Sequence, residues 1–264
     1  MKYKVDKDNV EVRLDRFLKK SCKNNGLSEI FSAIRKGEIR INGKKSKENY
    51  RLKLNDEIEI QDLDFKIKEN KKINYEYKNL IFYENDDILI INKPKGMAMH
   101  KGTDTKKGIA EMFNMDFANR LDKKTSGLVI GCKNPVSLRH ITKLIRENMI
   151  IKKYKAICLD NGKYNIGDEF IIENKLLETD EKVIVSKNGK ESKTKFKVID
   201  KKDKKIYFDI ELFTGRKHQI RVHLSSIGLP IIGDDKYSSK YKKADKLELE
   251  CYYLEFDNKK YEIK

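Results

Sequence analysis

Residues Asn119-Arg120-Leu121-Asp122-Lys123-Lys124-Thr125-Ser126-Gly127 set one carboxylate, Asp122, among three cations, just ahead of the apolar run Leu128-Val129-Ile130. Nearby positive charge keeps such a carboxylate ionised. At a loop-to-strand junction an ionised carboxylate can serve as a nucleophile or a base. In isolation the same Asp reads more simply as a surface ion pair in a solvated turn. Three further segments change that balance. Asn92-Lys93-Pro94-Lys95-Gly96-Met97, with His100, is a cation-bearing loop shaped by Pro94 and Gly96 after a strand pattern. Lys153-Tyr154-Lys155-Ala156 opens a strand with a Tyr flanked by lysines. The densest segment is Leu212-Phe213-Thr214-Gly215-Arg216-Lys217-His218-Gln219-Ile220-Arg221-Val222-His223-Leu224. As a helix it places Ile220 and Leu224 on one face and Arg216 with His223 on another. His218 and His223 have no acidic or Cys partner at ligand spacing, so no metal is expected. His223 fits a buried hydrogen bond as well as it fits a functional role.

The elements that must position these groups belong to a chain of 264 residues, long enough for one large domain or two. A hydrophobic share of 38%, with 13 Tyr and 11 Phe, suits a folded protein. Lys and Arg outnumber Asp and Glu by 59 to 42, giving a net charge of +17. That excess draws polyanions, and RNA is the expected partner, although a general lysine bias also contributes. Cys22, Cys132, Cys158 and Cys251 form no C-x-x-C pair and read as reduced structural thiols. The first residues lack the apolar stretch of a signal peptide and no apolar run reaches membrane-spanning length. A soluble, cytoplasmic protein with no membrane partner is the expectation.

Residues 1–65 read as a small unit. Leu14, Phe17 and Leu18 share one helical face, and a second helix, with Ser28 as the expected N-cap, carries Ile30, Phe31 and Ile34 up to Gly37. Ile39-Arg40-Ile41 alternates as a strand into the hairpin dipeptide Asn42-Gly43, and residues 56–60 close the unit. Arg35, Lys36, Arg40, Lys44 and Lys45 gather around this turn, as a phosphate-binding patch would. Residues 66–79 lack pattern and read as a linker. Residues 80–264 show short strands at 80–84, 88–91, 154–158, 170–172, 183–185, 196–199 and 206–212. A helix opened by Asn134-Pro135 runs to about Asn148. Many strands and few helices predict an α+β fold with a mixed or antiparallel sheet flanked by helices.

Together these residues resemble two known families. Arg13-Leu14-Asp15, Ile34-Arg35-Lys36-Gly37 and Ile39-Arg40-Ile41-Asn42-Gly43-Lys44 resemble the S4-type RNA-binding domain, an αL module. Over residues 80–237 the chain resembles the RluA-type pseudouridine synthases of large-subunit ribosomal RNA. That likeness rests on Arg120-Leu121-Asp122 with Thr125-Ser126-Gly127-Leu128, on Thr214-Gly215-Arg216 with His218-Gln219-Ile220-Arg221-Val222-His223-Leu224, on Lys93-Pro94 with Gly96 and His100, and on Lys153-Tyr154-Lys155-Ala156. It departs from the family pattern at Asn119, where His is usual, at Lys217, where a small hydroxyl residue is usual, and in a short span between His100 and Arg120.

The resemblance implies isomerisation of uridine to pseudouridine, with Asp122 as nucleophile. Tyr154 would pack on the uracil and could move a proton, and Arg221 would pair with Asp122. Arg120 would help extrude the base, and Lys93 and Arg216 would neutralise phosphates. It implies no metal or nucleotide cofactor, and a monomer is expected. Two rivals belong to other classes. One is a noncatalytic S4-type RNA-binding or ribosome-assembly protein, which a degenerate site would have favoured. The other is a carboxylate hydrolase, which wants two paired carboxylates where this segment offers one.

Overall fold

The computed structural model describes residues 1–61, 63–66, 72–102, 106–240 and 246–264. Its two compact units are Met1–Lys72 with Asn134–Ser137, and Ile73–Lys133 with Leu138–Lys264.

In the smaller unit, strand β1 (Lys2–Lys4) is followed by helices α1 (Leu14–Ser21) and α2 (Leu27–Lys36) and strands β2 (Ile39–Ile41), β3 (Lys44–Lys45) and β4 (Glu57–Ile60). The sheet order is β1-β4-β2-β3. Leu14, Phe17, Leu18, Ile30, Ile34, Ile39, Ile41 and Ile58 form its core, as the periodicity of each segment requires. Helix α2 starts one residue ahead of the expected cap. Gly26, not Ser28, is the N-cap, and its amide donates to Glu29 Oε2 at 3.0 Å, the return half of a capping box with no side-chain cap from the N-cap residue itself. Gly37, at φ 82°, ends the helix. Asn42 and Gly43, both with positive φ, turn β2 into β3.

The larger unit begins within the segment expected as linker: Ile73 and Tyr77 pack against its core. Residues 67–71 of that segment lie outside the described residues. Strands β5 (Ile81–Glu84) and β6 (Ile88–Lys93) lead to helix α3 (Ile109–Phe113), β7 (Asp116–Phe117) and β8 (Ser126–Cys132). Helix α4 (Pro135–Arg146) follows, with Asn134 Oδ1 accepting from the Ser137 amide at 2.8 Å. Strands β9 (Ile151–Leu159), β10 (Glu169–Glu178), β11 (Val183–Val185), β12 (Lys190–Lys202) and β13 (Lys205–Leu212) precede helix α5 (Gln219–Ser226). Strands β14 (Leu249–Phe256) and β15 (Lys259–Glu262) end the chain.

One 11-stranded sheet results, in the order β11-β10-β12-β13-β9-β14-β8-β6-β5, with β15 on β14 and β7 on β8. All pairs are antiparallel except β14 with β8, so the sheet is mixed and the fold is α+β, as expected. The parallel join is a close one. A Cβ on Gly127 (φ 111°) would lie 2.1 Å from the Cys251 carbonyl oxygen, so only glycine lets β8 approach β14 here. Cys251 in turn pairs with Tyr154 on β9. β14 therefore sits between the strand that carries Tyr154 and the strand that begins four residues after Asp122.

Candidate active site

Strands β6 and β9, helix α5 and the loops beside them bring the chemistry-bearing residues together. Asp122 lies in the turn before β8, where the Thr125 amide donates to the Asp122 carbonyl at 3.1 Å. Its side chain is 29% exposed, open enough for a ligand to reach. Oδ2 receives Arg221 Nη1 at 3.2 Å and faces His218 Nε2 at 3.6 Å. Among the described residues Oδ1 has no hydrogen bond or ion pair.

Arg221 reaches Asp122 from the first turns of α5, and its side chain is only 6% exposed. Its other N–H groups, Nε and Nη2, each donate at 2.8 Å to the two oxygens of Asp234, which is wholly buried. Burial alone would lower the Arg221 pKa, but the paired Asp234 and the nearby Asp122 raise it above its ordinary value. The guanidinium also lies 5.1 Å from the Tyr237 ring centroid. Asp234 is placed by another close approach, since a Cβ on Gly233 (φ 80°) would meet the Lys246 carbonyl oxygen at 2.1 Å.

Lys93, at the end of β6, corrects an expectation. It is completely buried and donates to the carbonyls of Pro94 at 3.1 Å, Met97 at 2.9 Å and Lys123 at 3.3 Å. An ammonium with its three protons so engaged cannot reach a phosphate. It ties the 94–97 loop to the residue next to Asp122, and the Gly96 amide adds a second tie to Lys123 O at 2.8 Å. Burial lowers its pKa to about 8, opposed by the Asp122 charge, so it remains a cation at neutral pH. Lys93 and Arg221 thus balance Asp122 and Asp234, two positive charges against two negative ones.

Tyr154 is buried on β9, and its pKa is pushed well above 10 by burial, by neighbouring Cys251 and by the Asp122 charge. It is a neutral phenol at pH 7. Arg120 and Arg216 are exposed. Arg216 Nε donates to the Glu191 carbonyl at 2.9 Å.

The helix expected through residues 212–224 starts only at Gln219, so Arg216 stands in the loop ahead of it. That loop is stapled by Gln219, which is 2% exposed. Its Oε1 accepts from Thr214 Oγ1 at 2.8 Å and the Arg216 amide at 3.0 Å, and its Nε2 donates to Lys193 O at 3.0 Å and Thr194 Oγ1 at 2.8 Å. His218 caps the helix in the left-handed region, at φ 55°, a conformation costing a non-glycine residue on the order of 1 kcal/mol. His223 faces away from Asp122, into a buried cluster where Nε2 meets Ser192 Oγ and Asn174 Oδ1, both at 2.9 Å. Burial lowers its pKa to about 4, which makes it a neutral structural group.

The departures from the family pattern have places too. Asn119 Oδ1 accepts from the Ile130 amide at 2.7 Å, bracing β8, and Lys217 pairs with Glu178. Residues 103–105, in the short span after His100, lie outside the described residues. Asp234, His218 and Tyr237 join the site without having been expected from the sequence motifs. The available signal was Gly233-Asp234, a turn glycine next to an acid after the apolar pair Ile231-Ile232.

In the smaller unit Arg35, Arg40 and Lys44 are exposed. Arg40 also braces the hairpin, donating to Gly37 O at 3.2 Å and Gly43 O at 3.3 Å. Among the described residues, no group of three or more His, Cys, Asp or Glu side chains is placed to hold a metal ion. No helix among them is long and apolar enough to cross a membrane.

Comparison with known proteins agrees with this geometry. Residues 87–226 match the model of the RNA pseudouridylate synthase family, and residues 12–58 match the S4 domain. Ribosomal large subunit pseudouridine synthase C of Vibrio parahaemolyticus is 34% identical over 253 residues, covering 89% of this chain and 79% of its own. The protein of the same name from Escherichia coli K12 is 31% identical over 252 residues, with the same shares. Among solved structures, human RNA Pseudouridylate Synthase Domain Containing 4 superposes with a TM-score of 0.60 at 20% identity, over 71% of this chain and 88% of its own, a likeness of fold. With the family model spanning more than half of the chain and relatives above 30% identity along most of it, the chain belongs to the RNA pseudouridylate synthase family, with an S4 domain at its N-terminal side.

Proposed function

We propose that this enzyme isomerises uridine in large-subunit ribosomal RNA and that Asp122 is its nucleophile. The observation that carries the reading is the arrangement around Asp122. The carboxylate is partly open to solvent, one oxygen is held by a buried arginine whose own charge is matched elsewhere, and a neutral Tyr154 lies close by. A carboxylate so held keeps one oxygen with which to attack.

In this reading Asp122 forms a transient bond to the target nucleoside, at the uracil ring or at the ribose anomeric carbon. The bond between N1 and the sugar breaks, the base turns, and C5 bonds to the same sugar carbon. C5 loses a proton and N1 gains one, so the conversion is a net isomerisation needing no redox partner. Tyr154 packs on the base and donates or relays a proton. Arg120 fills the space of the extruded base, because the reacting atoms are inaccessible within a stack. Arg216 neutralises a phosphate. Lys93 acts indirectly, by fixing the loop beside Asp122. Residues 1–65 form the RNA-binding module that delivers the substrate, with Arg35, Arg40 and Lys44 on the strand backbone, and 80–264 the catalytic domain. The ribosomal substrate rests on the names of the relatives and on the net charge of +17. The protein acts as a monomer in the cytoplasm and without a cofactor.

The test is incubation of the purified protein with large-subunit ribosomal RNA transcripts, followed by mapping of pseudouridine. Product at one or a few discrete uridines is expected. Binding with no product from any cellular RNA would favour the noncatalytic binding protein instead.

A further inference from the structure

Two groups that face Asp122, Arg221 and His218, converge on one oxygen. Arg221 Nη1 lies 3.2 Å and His218 Nε2 3.6 Å from the same Oδ2. Both groups are also held by one residue, Tyr237, which follows the Asp234 turn. Its hydroxyl lies 2.7 Å from His218 Nδ1, and its ring lies 5.1 Å from the Arg221 guanidinium. Tyr237 is itself anchored: its hydroxyl accepts from the Val183 amide at 3.0 Å, its amide donates to Asp234 Oδ1 at 3.2 Å, and its carbonyl accepts from Ser225 Oγ at 2.9 Å.

These contacts decide which nitrogen of His218 carries the proton. The Tyr237 hydroxyl has one proton to give, and the Val183 amide already supplies it with a donor. The remaining partner at hydrogen-bond distance is His218 Nδ1, which accepts. The ring proton then sits on Nε2, aimed at the Asp122 carboxylate. The opposite tautomer would point a lone pair at that carboxylate and strand the phenolic proton. Burial keeps the ring neutral by lowering its pKa; Asp122 opposes this, while Arg221, Lys236 and Lys217 add to it.

We propose that Tyr237 is a positioning residue for the isomerisation: through His218 and Arg221 it fixes Oδ2 of Asp122 and leaves Oδ1 uncommitted for attack. The proposal rests on the reading of Asp122 as nucleophile and adds a residue that acts on it through two others. The chain Val183–Tyr237–His218–Asp122 also ties the nucleophile to β11, at the opposite end of the sheet order from β5.

The test uses the full-length protein and the variants Tyr237→Phe and Tyr237→Leu. In Tyr237→Phe, which keeps the ring and loses only the hydroxyl, the single-turnover rate on a modified transcript is expected to fall about five- to tenfold, with RNA affinity unchanged. Tyr237→Leu, which loses the ring over Arg221 as well, should fall further. Nitrogen-15 spectra of the histidines, with His218 assigned by its loss in His218→Gln, should show the Nε2–H tautomer in the wild type and a mixture in Tyr237→Phe. An Nδ1–H tautomer in the wild type would overturn the proposal. So would a wild-type rate constant in Tyr237→Phe, including the case where only its folded fraction declines. The underlying reading fails differently, through persistent activity in Asp122→Asn.

Discussion

Arg221 gives Asp234 two hydrogen bonds at 2.8 Å and Asp122 a single one at 3.2 Å, so the buried guanidinium has its fuller pairing with Asp234. Were Asp122 its only partner, a two-pronged pair would occupy both carboxylate oxygens. Replacing Asp234 with Asn keeps the shape and removes that counter-charge. Breaking a buried pair in this way costs about 3 kcal/mol, to be read as a lowered urea midpoint. The rate per folded molecule should fall as well, because Arg221 is released to bind Asp122 more fully. Unchanged stability in Asp234→Asn would remove the pair from the account.

Lys93 offers a sharper discrimination between structure and binding. Lys93→Met removes the shared donor of the Pro94 and Met97 carbonyls, while Lys123 O keeps the Gly96 amide, and each group left unmet costs about 1–3 kcal/mol. Stability and turnover should both drop. The dependence of RNA affinity on salt should keep its slope, since no phosphate contact is lost. A lysine bound to phosphate would instead flatten that slope by about 1.

Arg35 and Lys44 make the opposite case. The double variant Arg35→Ala, Lys44→Ala should fold as the wild type does, because both side chains are exposed. Its RNA affinity should weaken and the salt slope should fall by about 2. Single-turnover rates at saturating RNA should stay unchanged. An unaltered slope would place the RNA elsewhere on the protein.

His223 sets a pH dependence of stability. Its folded pKa is about 4 against an ordinary 6.5, because burial disfavours the imidazolium. Between those values the unfolded chain binds more protons than the folded one, so stability rises with pH across the window. It is fully present above about pH 6.5 and is lost on acidification towards pH 4, by roughly 3 kcal/mol. Thermal midpoints from pH 4 to 7 should show this slope in the wild type and a shallower one in His223→Asn.

Much of this was legible in the chain. Arg221 bonds to Asp122, Tyr154 lies within reach of the Asp122 charge, and most strands lie where apolar alternation placed them. What the sequence hid has physical causes. β14 was not foreseen, although it separates the Tyr154 strand from the Asp122 loop. It is buried along most of its length, so it lacks alternation, and its parallel partner β8 lies more than a hundred residues away. α5 is buried at every position from Gln219 to Leu224, which erases the amphipathic stripe that would have marked its start. Lys93 was misread for a related reason. A lysine next to Pro94 and Lys95 looks exposed in sequence, and only the three converging carbonyls reveal that it is enclosed. Asp234 carried only the weak signal of its turn glycine, because its burial against Arg221 depends on a loop and a helix meeting in space.

If the Asp122 carboxylate is the nucleophile, Asp122→Asn removes the attacking group. The substitution preserves size and removes the charge while leaving Arg221 paired with Asp234. On a large-subunit ribosomal RNA transcript that the wild type modifies, the variant should form no pseudouridine while binding the RNA with wild-type affinity. Pseudouridine made at the same position by the variant, at a rate within tenfold of the wild type, would contradict it.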